Sequence, residues 1–155
     1  MNIPKRYKFV PLINSADINA GVDGDSINMA KALRAVIVLM FGAITGVGAI
    51  LKIYSGATNG AKTSALTFKY GLGGAAVGSA LADVLAATAE SAALTLTAAT
   101  YQNKMFVVEI DAAQMDLANN EFWLTVELDN GADSGICEAV ALVEPRYSDK
   151  ATLLA

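Results

Sequence analysis

Side chains that attack, exchange protons or bind metals are scarce in this 155-residue chain. Histidine is absent, which removes the commonest general base, the Ser-His arrangement and most zinc sites together. Cys137 is the only cysteine and stands among Ile136, Ala139 and Val140, where it reads as a small buried hydrophobe. One cysteine allows no internal disulfide, as suits a reducing compartment or a fold that needs no covalent staple. Asp23-Gly24-Asp25-Ser26-Ile27-Asn28 offers oxygen atoms at alternating positions, as a calcium loop does. An EF-hand would need an oxygen ligand in place of Ile27, glycine in place of Asn28 and glutamate in place of Arg34, so the segment reads as a turn leading into a strand. Glu109 and Asp111 would share one face of a strand, but no base or companion acid accompanies them, and a solvated face is the expectation. The glycines from Gly71 to Gly78 match neither phosphate-loop pattern. No catalytic residue, metal or cofactor is therefore assigned, and the chain is expected not to be an enzyme.

Composition points to contact rather than catalysis. Hydrophobic residues make up 54% of the chain and charged residues 17%, leaving a surface poor in charge that partners would cover. A net charge of −4, with eleven scattered basic residues, argues against nucleic acid as partner. The length fits a single domain over residues 1–155. The basic amino terminus is followed by an apolar run that Asn14, Ser15, Asp17 and Asn19 interrupt, so no secretion signal is read there.

The elements that would position any surface read as strands. Leu124, Val126 and Leu128 alternate with Thr125 and Glu127, and a second apolar run spans Ile136 to Val143. The joining segment, with Asn130-Gly131, is turn chemistry, so the pair reads as a β-hairpin whose second strand is central in a sheet. Ala35 to Leu51 is seventeen residues without a charge and contains Gly42-x-x-x-Gly46, which makes it a candidate membrane helix. Its β-branched Val36, Ile37 and Val38 and its late glycines favour a hairpin instead, with a turn over Gly42 to Gly48 and a second strand over Ala49 to Tyr54. Further one-sided strands are predicted around Leu66-Phe68-Tyr70, Leu94-Leu96 and Met105 to Asp111. Gly71 to Gly78 reads as a long loop, and Ala80 to Ala89 as either the only helix or an irregular strand. Lys8 to Ile13 is extended, limited by Pro11, and residues 1–20 are expected to form an arm. Seven or eight strands with at most one short helix predict an all-β, jelly-roll-like sandwich.

Three stretches carry a resemblance: Ala20 to Met29 ahead of the first core strand, Ile53 to Ala57 followed by Ala65 to Tyr70, and Val143-Glu144-Pro145-Arg146-Tyr147. With them the chain resembles the small capsid decoration, or cement, proteins of tailed bacteriophages. The resemblance implies a β-sandwich subunit, often a homotrimer, bound at three-fold positions outside a head shell and stabilising it against internal pressure. Its expected partners are the major capsid protein and copies of itself, without nucleic acid or membrane, and its expected location is the capsid surface of the virion. Candidate partner contacts are Tyr7, Phe9, Leu72, Val77, Arg146 and Tyr147. The alternative within the virion is a head-fibre, neck or tail component that binds a receptor or glycan on a platform of Trp123, Tyr101 and the Gly71 to Gly78 loop. A small membrane protein is the remaining reading.

Overall fold

The computed structural model describes residues 6–129, 134–146 and 153–154. In chain order the strands are β1 (Lys8–Asp17), β2 (Val22–Asp23), β3 (Ile27–Asn28), β4 (Ala32–Ile44), β5 (Val47–Gly56), β6 (Ser64–Ala65), β7 (Phe68–Leu72), β8 (Ala89–Ser91) and β9 (Leu94–Thr97). A single helical turn, α1 (Ala98–Tyr101), precedes β10 (Met105–Asp111), β11 (Trp123–Asp129) and β12 (Gly135–Pro145). All pairings are antiparallel. The first sheet has the order β1-β12-β4-β10-β7-β8, and the second β2-β11-β5-β6, with β3 also on β11 and β9 also on β5. The result is the all-β sandwich that the alternation of the sequence predicts.

Neither expected hairpin forms. β4 and β5 are joined only by Thr45-Gly46, with Gly46 at a φ of 60°, yet they lie in different sheets. β11 and β12 likewise part, one pairing with β5 and the other with β1 and β4, while their Asn130-Gly131 connection lies outside the described residues. The reason is burial. Leu39 and Phe41 of β4 and Leu51 and Ile53 of β5 are all shielded from solvent, and crossing between sheets turns these faces toward each other. A hairpin would place them side by side and leave both in need of a cover. The run around Leu66 also divides, giving β6 to the second sheet and β7 to the first. Among the described residues there are twelve strands rather than seven or eight, because two-residue pieces join the second sheet and the three-residue β8 lengthens the edge of the first.

Between β7 and β8 no helix forms over Ala80 to Ala89. Leu81 is 59% exposed and Val84 is exposed as well, so the i, i+3, i+4 stripe finds no core to bury against. The backbone bonds across to β7 instead, with the Gly74 amide donating to the Val84 carbonyl and the Ala86 amide to the Leu72 carbonyl, each at 2.8 Å. The stretch from Ala35 to Leu51 is accordingly two strands and not a rod, and no helix among the described residues is long and apolar enough to cross a membrane. The described part of the expected arm is mostly β1, an edge strand whose register on β12 slips after Pro11 and again before Ala16. Ile18, directly after it, is fully buried.

Candidate interaction face

Strand parity divides the first sheet into two faces. Inward lie Ala35, Ile37, Leu39 and Phe41 of β4, Phe106, Val108 and Ile110 of β10, and Cys137, Ala139, Ala141 and Val143 of β12. Phe106 anchors this side, stacked on Tyr70 at 4.8 Å between ring centres and edge-on to Phe41 and Tyr101. The outward positions of a one-sided sheet should be polar. Here they are not.

The register places the outward residues in rows across β12, β4 and β10. Glu144, Arg34 and Asp111 form one row, followed by Leu142, Val36 and Glu109, then Val140, Val38 and Val107, then Glu138, Met40 and Met105. Phe9 of β1 extends the second row beside Leu142, and Ile136 stands beyond the last. Phe9 is 54% exposed, Met40 43% and Ile136 44%, and the valines between them are half-buried. Two grooves flank the stripe. One, of about 500 Å³, lies over Val38, Met40 and Val140 with Pro11, Leu12, Ile13 and Asp25 along its side. The other, of about 460 Å³, lies over Val36 and Val107 with Lys69, Leu85 and Glu90 along its side.

Charge sits at the ends of the stripe. Arg34 donates to Glu109 at 2.7 Å and lies 3.5 Å from Glu144, and these carboxylates, the Glu109 hydrogen bond foremost, hold its guanidinium above the usual pKa. Lys69 lies 3.6 Å from Glu90. Glu109 and Asp111 are thus a solvated rim, as their alternation suggested.

The outer face of the second sheet is built differently. Lys62 reaches Asp23 at 3.0 Å and Glu127 at 2.5 Å, and those bonds, Glu127 first, raise its pKa. Lys52 meets Asp129 at 2.6 Å. Above Thr125 the loop after β5 is fastened by a chain of hydroxyls. The Gly60 amide donates to Ser26 Oγ at 2.9 Å, Ser26 and Thr125 share a 2.7 Å bond, and Thr125 Oγ1 donates to the Ala61 carbonyl at 3.3 Å. The Asp23 to Asn28 segment therefore serves structure, through buried Ser26 and through Asn28, whose amide donates to the Leu153 carbonyl at 2.8 Å. Among the described residues no group of three or more Cys, Asp or Glu side chains is placed to hold a metal. Buried Glu121 accepts from Ser55 Oγ at 2.7 Å, and burial pushes the Cys137 thiol up to about 12, far from a reactive thiolate.

Of the residues predicted to touch partners, Phe9 stands on the apolar stripe and Tyr7 just before it. Arg146 lies exposed at the end of β12, its amide on the Lys31 carbonyl. Leu72 is partly buried against the core, Val77 is exposed in the loop after β7, and Tyr147 lies outside the described residues. The five that are described do not form one surface. The platform of Trp123, Tyr101 and the glycine loop does not assemble either, since Tyr101 is 8% exposed beneath Phe106 and Trp123 belongs to the second sheet. Sequence reasoning missed Val36, Val38, Met40, Val107, Val140 and Leu142. Their signal was present, because β4 is apolar at both parities from Ala35 to Phe41.

No family model matches the chain, and no curated protein matches it. Among solved structures it is similar to the SPBc2 prophage-derived protein YomS, at 12% identity and a TM-score of 0.51, over 88% of this chain and 92% of that one. At that identity the likeness is one of fold.

Proposed function

We propose that this chain is a non-enzymatic structural protein of a tailed-bacteriophage virion, specifically a capsid decoration protein that binds the outer head shell and stabilises it. The observation that carries the reading is the uncovered apolar face of the first sheet, where three strands present valine, leucine and methionine on the outward side and β1 adds Phe9. Isolated monomers rarely keep such a patch, and its polar rim is the anatomy of a protein contact. The strand orders β1-β12-β4-β10 and β2-β11-β5-β9 fit a jelly-roll winding, an architecture used in viral capsids. The prophage source of the similar structure agrees with a phage setting.

In this reading the partners are the major capsid protein and sibling subunits, in a homotrimer, at the capsid surface. Repetition on a lattice lets a modest contact per subunit sum to a large total. Cryo-electron microscopy and mass spectrometry of purified particles test the assignment: density for this sandwich outside the shell is expected, and particles that lack the protein overturn it. Light scattering on the purified chain tests the trimer separately.

A further inference from the structure

We propose that the groove over Val38, Met40 and Val140 seats an extended segment of a partner protein in which apolar side chains alternate with lysine or arginine. The groove is open at the surface and has an apolar floor, walled by Pro11, Leu12 and Ile13 where the pairing of β1 with β12 is irregular. Two ionisable side chains line it, Glu138 and Asp25, and both are acidic. Glu138 has no ion-pair partner among the described residues, whereas on the opposite groove Lys69 is matched by Glu90. A second copy laid face to face would bring carboxylate toward carboxylate on an apolar floor, where like charges are costly. A basic partner gains what a sibling loses.

The extended form follows from spacing. Val38 and Met40 stand two residues apart on β4, about 7 Å, which matches the same-face side chains of an extended peptide. The inference rests on the assembly reading only for which protein supplies the segment.

The test uses the full-length chain, isotope-labelled for NMR, and a capped nonapeptide of lysine, valine and serine in the order KVSVKVSVK, with glutamate and glutamine versions as controls. Backbone shifts are expected at residues 11–14, 36–40 and 138–142. The basic peptide should bind about tenfold more tightly than the acidic one at low salt, and most of that preference should vanish near 0.5 M salt, where screening is short-ranged. Glu138→Lys, an exposed position that leaves the core untouched, should cut the preference about threefold. Shifts elsewhere, affinity indifferent to charge, no binding at millimolar peptide, or self-association through this same face would each overturn the proposal. Binding by a protein missing from virions would sink the assembly reading and leave the groove's chemistry standing. A virion protein that ignores the basic peptide would do the reverse.

Discussion

The thiol of Cys137 lies on the inner face of β12, shielded from solvent, and burial pushes its pKa from 9.0 up to about 12. Below pH 9 it is protonated in the folded and the unfolded chain alike, and its contribution to stability is complete. Between pH 9 and 12 the unfolded chain releases the proton while the folded one keeps it, so stability falls as pH rises. Each unit of difference is worth about 1.4 kcal/mol, so the rise from 9.0 to about 12 amounts to about 4 kcal/mol in all. At pH 10.5, halfway along, about 2 kcal/mol should have gone. Tyr54 and Tyr101, raised by burial, and Lys62, raised by Glu127 and Asp23, push in the same direction, so the comparison needs a partner that shares them. Cys137→Ala does. Urea unfolding of both proteins at pH 8 and pH 10.5 should show the advantage of the wild type shrinking by about 2 kcal/mol across that interval. An advantage that stays constant would mean that the thiol ionises in the folded state as in the unfolded one, and that β12 does not run through a closed interior. A thiol reagent offers a second reading, since Cys137 should react only as the chain unfolds.

The remaining expectations concern the two faces and the covering loop. Phe106→Ala should cost about 3–5 kcal/mol by urea unfolding, because it empties a fully buried aromatic site, whereas Val38→Thr on the outward face should cost about 1 kcal/mol or less. Equal costs would erase the distinction between the faces. Thr125→Val should destabilise by about 1–3 kcal/mol and speed hydrogen exchange at Gly60 and Ala61, since it breaks the hydroxyl chain beneath their loop. Gly56→Ala should cost about 2 kcal/mol or more, as an added Cβ would stand 2.5 Å from the Ala61 carbonyl oxygen; a neutral result would show that the loop gives way. Lys62→Met should cost under about 1 kcal/mol, with the difference fading in salt, because its pairs with Asp23 and Glu127 are close to the surface.

Strand identity was readable because burial alternates with residue parity. β10 shows this plainly, with Phe106, Val108 and Ile110 inside and Glu109 and Asp111 outside; β11 has Leu124, Val126 and Leu128 inside, with Thr125 of the other face covered by the loop after β5. Pairing was not readable. A short connection such as Thr45-Gly46 suits a hairpin and an inter-sheet arch equally, and the choice depends on which distant strand covers each buried face. Nothing local to β4 announces that β12 and β10 will flank it from the far end of the chain. Of the two readings of Ala80 to Ala89, a helix or an irregular strand, the helix does not form for a related reason: three apolar side chains at helical spacing specify a helix only when a core stands ready to receive them.

The same stretch of β4 that misled the reading of pairing also marks the candidate site. Seven consecutive apolar residues, Ala35 to Phe41, exceed what one sandwich interior can use, because a strand offers only its alternate positions to the core. Ala35, Ile37, Leu39 and Phe41 fill the interior, which leaves Val36, Val38 and Met40 with no internal task. β12 repeats the surplus with Val140 and Leu142, and the register sets both surpluses, with Val107 of β10, side by side. Three strands that share one excess at matched positions argue for a surface shaped for contact. At one end the excess stops at Arg34 with its carboxylates, which gives the apolar rows a charged margin there, and at the other it runs past Glu138 to Ile136.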